Sequence, residues 1–283
     1  MNKATFIGVL LTFGVVLLAV YVYWPTSAVI EEPAAEPVVE EVIAPPTPTS
    51  TVSVIGTSVQ GREISAYTFG TGDTNLLFVG GVHGGYEANS VRLAEGVIEE
   101  FQINQIVIPE NITIHIIPNL NPDGYALPTT ASDQDRRFNA NGVDLNRNFD
   151  CKWAPESSWR GQTVSAGTAP FSEPEAAALR DYVLQTGPSA AVFWHSVANN
   201  VYASECENGI LPGTLALMNA YADAANYGKV EVFDAYPITG DVEGWLASIN
   251  IPAVTVELQT RDSIEWTRNW AGVLATIDLY RVQ

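Results

Sequence analysis

Basic residues are scarce in this chain: 13 Lys and Arg stand against 32 Asp and Glu, a net charge of −19 over 283 residues. Phosphate backbones and anionic headgroups need a basic face, so nucleic acid and anionic lipid surfaces are excluded as partners of a folded domain with this balance. Cysteine is nearly absent too. Two residues, Cys151 and Cys206, are too few for a disulfide framework and enough for one bridge in an oxidising compartment. Histidine occurs three times, and no internal repeat is visible.

What is present begins with a run that carries no charge, from Ala4 to Ile30. Its dense apolar part, Phe6 to Tyr23, is 18 residues long, about 27 Å as a helix against a hydrocarbon core of about 30 Å. A secretory h-region is shorter, roughly 7–15 residues. Lys3 and the amino terminus precede the run and acidic residues follow it, so the N-terminus is expected on the cytoplasmic side. Residues 1–24 are therefore expected to form an uncleaved signal anchor, a single transmembrane helix. Thr26-Ser27-Ala28 is a usable cleavage site, and secretion after cleavage is the alternative. Residues 25–52 hold six prolines, five glutamates and no Lys or Arg; such a segment is expected to be a disordered, extended linker. Residues 53–283 are long enough for one α/β domain.

The stretch Leu77–Glu87 organises that domain. An apolar run ends in Gly80-Gly81, and His83 and Glu87 follow, as when a buried strand emerges at the carboxyl edge of an open α/β sheet, where ligands bind. Imidazole plus carboxylate is a zinc-type pair. The same spacing also fits a surface histidine ahead of a helix whose first turn favours an acid. Strands are expected at 62–69, 76–79, 112–117, 190–194 and 251–258; helices at 87–101, from the Ser172 cap to Leu184, at 211–227 and at 266–280. His115, flanked by isoleucines inside a strand, reads as structural. From Asn119 to Phe149 apolar periodicity vanishes while Arg136, Arg137 and Arg147 gather. A stretch this long without elements of its own is usually functional, and Asn146-Arg147 presents a fork suited to a carboxylate; a solvated loop whose arginines balance local acids is the bland alternative. Ala190–Trp194 delivers His195 at a strand end, and Glu257 closes the last strand. Two histidines and a carboxylate leave a tetrahedral zinc one open position, and a further carboxylate can act as base.

With these pieces in place the chain resembles the zinc carboxypeptidases of the carboxypeptidase A type. The resemblance runs through Gly61-Arg62, the His83 stretch, Asn121-Pro122-Asp123-Gly124, Arg137-x-Asn139, Gly142–Phe149, Phe171–Glu175, His195-Ser196 and Val256-Glu257-Leu258. The compact Asn139–Gly142 segment is most similar to the bacterial branch that includes murein tripeptide amidases. The resemblance implies a mixed, mostly parallel, twisted central sheet flanked by helices on both faces. It implies one zinc ion held by His83, Glu87 and His195, with Glu257 as general base and Arg137 stabilising the oxyanion. Asn146 and Arg147 would hold the free C-terminal carboxylate of a peptide, and Tyr236 would close over it. Glu243 falls where the family sets side-chain preference, which implies a basic terminal side chain or the free amine of diaminopimelate. The family separates its first His from its Glu by two residues; here Gly84-Gly85-Tyr86 intervene, and the two glycines are expected to absorb the extra residue. Cys151 and Cys206 both fall near the site, and a bridge between the arginine loop and the His195 loop is expected. The activity implied is hydrolysis of C-terminal peptide bonds outside the cytoplasm, on cell-wall or ordinary peptides, by an enzyme anchored to the membrane through its N-terminal helix. Two other readings stay open: an inactive peptide- or wall-binding module, and an N-acyl amino acid amidohydrolase on the same fold.

Overall fold

Apolar runs buried on both faces build the centre of the sheet. The computed structural model describes residues 50–104 and 108–281; the expected anchor, 1–24, and the linker up to residue 49 lie outside them. Among the described residues, no helix is long and apolar enough to cross a membrane. The strands of the main sheet are β1 (Thr51–Thr57), β2 (Glu63–Gly70), β3 (Thr74–Val79), β4 (Ile112–Ile117), β7 (Ala190–Ser196), β8 (Asn200–Ala203), β11 (Gly228–Val230) and β12 (Ala253–Leu258). Two small hairpins complete the set, β5 (Glu156–Trp159) with β6 (Gln162–Ser165) and β9 (Glu205–Cys206) with β10 (Gly209–Ile210). The helices are α1 (Ala88–Ile103), α2 (Pro122–Tyr125), α3 (Asp133–Arg137), α4 (Pro174–Thr186), α5 (Pro212–Ala225), α6 (Val242–Ser248) and α7 (Trp266–Leu279).

Strand order in the eight-stranded sheet is β1-β2-β4-β3-β7-β12-β8-β11. The central strands β4, β3, β7 and β12 run parallel, while β1–β2, β2–β4 and β12–β8 pair antiparallel. The sheet is thus mixed, with a parallel centre. One apolar layer joins Phe78, Ile114, Trp194 and Val254 to Leu93 and Val97 of α1, Met218 and Tyr221 of α5, and Val273 of α7. The opposite layer joins Leu77, Val79, Ala191 and Phe193 to Leu179 and Val183 of α4 and Leu246 of α6. Helices therefore cover both faces, as parallel strands require. Trp194 shows how the first layer is fixed: it stacks on Phe78 with centroids 5.6 Å apart, and its indole N–H donates to Tyr221 Oη at 2.9 Å. Truncating such a buried aromatic to Ala costs about 3–5 kcal/mol.

Register carries the site. Val79 of β3 pairs with Phe193 of β7, and His195 pairs with Glu257 across β7 and β12. The carboxyl ends of three adjacent parallel strands thus open at one edge, and His83, His195 and Glu257 meet there. Two expectations change. The first strand begins at Thr51, so the last residues assigned to the linker, Thr51 and Val52, belong to the sheet edge. Residues 119–149 are not structureless: α2, α3 and a 3-10 turn at Leu145–Arg147 lie within them, each opened by a side chain that caps its first turn (Asn121, Ser132 and Asp144).

Candidate metal centre and active site

After β3 the chain turns through a short 3-10 helix, Gly84–Glu87, before α1 begins. Gly84 has φ of 44°, and a Cβ there would stand 2.8 Å from the Tyr125 backbone nitrogen, so only glycine fits this approach. The 3-10 turn takes up the additional residue and carries Glu87 back to the histidines. His83 Nδ1 lies 3.0 Å from Glu87 Oε1, His195 Nδ1 lies 3.0 Å from Glu87 Oε2, and the two Nδ1 atoms are 3.1 Å apart. All three residues are buried, and they form a group able to hold a metal ion. Two ligand atoms about 2.0–2.1 Å from a tetrahedral zinc stand roughly 3.3 Å apart, close to these separations. The donor set, two imidazoles and a carboxylate, is that of a catalytic zinc site with one open position.

Behind each imidazole stands a carboxylate. His83 Nε2 is 3.6 Å from Asp144 Oδ1, and His195 Nε2 is 3.6 Å from Glu243 Oε1; neither nitrogen has a hydrogen-bond partner among the described residues. Such carboxylates orient the ring so that Nδ1 faces the metal and raise its basicity. Burial opposes the charge on Glu87, yet both histidines beside it hold its carboxyl well below the usual carboxylate range. Asp144 behaves alike: burial opposes its charge, and Arg137 with His83 holds it low. Burial pulls His195 down, but Glu243 and Glu87 push it up to about 10. The centre is built to hold positive charge.

Glu257 is the odd carboxylate. Burial and the nearby Glu87 charge push it up to about 7, against the pull of His195, Arg137 and Arg261. Its Oε2 is buried without a hydrogen-bond partner among the described residues. Arg137 ends α3 and is held by Asp144, whose Oδ2 accepts from Nε at 3.0 Å and lies 2.9 Å from Nη2, while Nη1 lies 3.7 Å from Glu87 Oε1. Asn146 Oδ1 accepts from the Val242 backbone N–H at 2.9 Å, and Arg147 Nη1 donates to the Asn146 carbonyl at 2.6 Å. Arg147 Nε is buried and has no hydrogen-bond partner among the described residues.

Two further expected site residues, Glu243 and Tyr236, have different surroundings. Glu243 is buried in the first turn of α6, accepts from Thr255 Oγ1 at 2.8 Å and faces His195. The turn capped by Asp241, which accepts from the Gly244 N–H at 2.8 Å, points the carboxylate inward. Tyr236 is 41% exposed, and its ring packs 4.8 Å from Phe233; it makes no hydrogen bond to the cluster among the described residues. Cys151 and Cys206 are joined in a disulfide, and Phe149 N donates to Gly240 O and Gly240 N to Cys151 O, so the arginine loop is tied to the strand region after His195 and to the approach to α6. Asp144, Tyr86, Trp159 and Arg261 were not singled out as site residues from sequence. Asp144 stands two residues before Asn146 inside the Gly142–Phe149 run, and that spacing was the available signal.

A buried His-Glu-His set and an unpaired glutamate at the carboxyl edge of a mixed α/β sheet define a metallohydrolase. The zinc carboxypeptidase family profile matches residues 42–267, and the chain belongs to that family. It is 25% identical over 211 residues to murein peptide amidase A of Escherichia coli, covering 71% of this chain and 78% of that protein. It is 28% identical over 160 residues to carboxypeptidase B of Astacus astacus, covering 51% and 52% of the two chains. Against the catalytic chain of carboxypeptidase N from Rattus norvegicus it is 38% identical, over 34% of this chain and 25% of that one. The matched part thus spans about half or less of both carboxypeptidases. Among solved structures, carboxypeptidase A of Helicoverpa armigera superposes with a TM-score of 0.67 at 22% identity, over 83% of this chain and 69% of that one. The murein-tripeptide amidase of Escherichia coli gives 0.59 at 24% identity, over 88% and 97%; both likenesses speak for the fold.

Proposed function

We propose that this chain is a zinc metallocarboxypeptidase that releases the C-terminal residue of cell-wall peptides outside the cytoplasm. The observation that carries the reading is the buried triad of His83, Glu87 and His195 with Glu257 beside it. The preference for wall peptides is supported by the match to murein peptide amidase A, which spans most of that protein's length, unlike the partial matches to the carboxypeptidases. His83, Glu87 and His195 hold the zinc, which when bound acidifies water and polarises a carbonyl. Asn146 and Arg147 receive the terminal carboxylate and set the register of the scissile bond. Arg137, fixed by Asp144, turns Nη1 to the developing oxyanion. Glu257 takes a proton from the attacking water and delivers it to the leaving amine as the C–N bond breaks. Residues 1–24 anchor the enzyme to the membrane, with the domain outside.

The test compares hydrolysis of hippuryl-Arg, hippuryl-Phe and a muropeptide by the zinc-loaded protein, alongside its zinc content. Release of the terminal residue from the muropeptide at the highest kcat/KM is expected. Turnover of the hippuryl peptides alone removes the wall-peptide reading, and no turnover of any of them removes the peptidase reading.

A further inference from the structure

One side-chain amide joins the three segments that carry the site. Asn89 is fully buried in the first turn of α1, two residues after Glu87. Its Oδ1 accepts at 3.0 Å from the hydroxyl of Ser196, the residue that follows His195 at the end of β7. Its Nδ2 donates to the Thr260 carbonyl at 2.7 Å and to the Ser263 carbonyl at 3.1 Å. Both carbonyls belong to the segment that leaves β12 just after Glu257. The carbonyl and both hydrogens of the amide are therefore engaged, which is nearly all that an asparagine side chain can offer.

Backbone pairing does not supply this tie. The β7–β12 ladder ends where Leu258 meets Ser196, and Glu87 lies on neither strand but in the 3-10 turn before α1. Ser90 secures the near side of that turn: its Oγ donates to the Glu87 carbonyl at 2.7 Å and accepts from the Gly81 N–H at 3.0 Å. Asn89 secures the far side, against β7 and the exit of β12. Arg92, one turn further along α1, also reaches this exit, donating to the Asp262 carbonyl at 3.1 Å, but it is exposed and water competes for the bond. Among the described residues the Glu257 carboxylate makes no hydrogen bond of its own. Its position is inherited from the backbone that carries it, and that backbone is held from within the molecule by Asn89.

We propose that Asn89 is a positioning residue of the hydrolytic site: through Nδ2 it fixes the 260–263 segment, and with it the Glu257 carboxylate, relative to the metal position. The inference rests on the peptidase reading above. A displacement of about 1 Å in a group that moves a proton costs about a hundredfold in rate. A latch serving the fold alone would cost stability and leave the folded protein's turnover intact; a positioning residue costs turnover.

The experiment uses the full chain, with Asn89→Asp and Asn89→Ala as variants. Both lose the two donors; aspartate keeps the acceptor for Ser196, and alanine adds no charge, so an effect common to both belongs to the donors. Hydrogen exchange, with and without zinc, reads the tie independently of turnover. In the wild type both Asn89 side-chain amide hydrogens are expected to exchange slowly. In the variants the backbone amides of Gln259, Thr260 and Ser263, which bond within this segment, are expected to exchange about tenfold faster. With zinc loaded and hippuryl-Arg, hippuryl-Phe and a muropeptide as substrates, kcat should fall by about ten- to a hundredfold in both variants, with KM kept within about twofold. Zinc content after dialysis should stay at the wild-type level, because His83, Glu87 and His195 remain. Rapid exchange of the Asn89 side chain in the wild type overturns the tie even if neither variant folds. Wild-type kcat in either folded variant, or kcat and zinc content lost together, overturns the positioning role. Absence of turnover in the wild type, with the exchange pattern as expected, overturns the peptidase reading and leaves the tie standing.

Discussion

Glu87, buried, and Glu257, half-buried, are carboxylates at the same sheet edge, and replacing each by Gln separates their roles. Glu257→Gln is expected to keep its zinc and lose kcat by about a hundred- to ten-thousand-fold, the range of a general base. Glu87→Gln is expected to lose the metal itself, which metal analysis after dialysis reads directly. Glu243→Gln distinguishes a carboxylate that orients His195 from one that chooses substrates: zinc affinity falls by roughly 10–100-fold, while the ratio of kcat/KM for basic and aromatic C-terminal residues is unchanged. His115 offers a pH prediction. Its Nε2 faces Asn75 Oδ1 at 3.0 Å and its Nδ1 faces Tyr182 Oη at 2.8 Å, a satisfied neutral imidazole, and burial pulls it down to about 4. The folded state therefore binds fewer protons than the unfolded chain. The stabilisation is complete above about pH 6.5, where the unfolded imidazole is neutral, and is lost as pH falls toward 4. His115→Gln should flatten the acid side of a urea-midpoint profile in that window. His83, His195 and Glu257 were legible in sequence because each ends an apolar strand. The contact of Glu243 with His195 was not legible, because sequence position does not say which way a carboxylate in a helix's first turn points.

At the scale of elements, legibility followed burial. β3, β4, β7 and β12 are long apolar runs, while β8, β9, β10 and β11 are each four residues or fewer and leave no period to read. The β5–β6 hairpin turns on Arg160 and Gly161, both with positive φ, but Arg-Gly is not the Asn-Gly pair that marks such turns, and so the element carrying Trp159 was missed. The disulfide was anticipated from the positions of its cysteines, and it closes a loop of sequence separation 55. In the chain-entropy account a loop of that size contributes about 4 kcal/mol. Cys151→Ser with Cys206→Ser should lower the unfolding free energy by about 2–4 kcal/mol in an equilibrium denaturant titration. Because the bridge joins residues close to Arg147 and to α6, KM should rise more than kcat falls.

For the whole molecule, metal and fold are linked. In the proposed zinc site the three buried groups come together only when β3 and β7 are side by side, so bound zinc would stabilise the native state by mass action, about 2.7 kcal/mol at a hundred times Kd. Chelation should lower Tm by several degrees and zinc should restore it; an unchanged Tm would mean the triad does not hold the ion. Lys and Arg number only 13 in this chain. Histidine is rarer still. With three imidazoles in 283 residues, two facing one another across the metal position and the third locked between Asn75 and Tyr182, a proton–nitrogen correlation spectrum of the imidazole region holds three side chains to assign. Zinc titration should move two of them together and leave the third as an internal standard, so occupancy, tautomer and pH response can be followed in the unmodified protein without a label or a substrate.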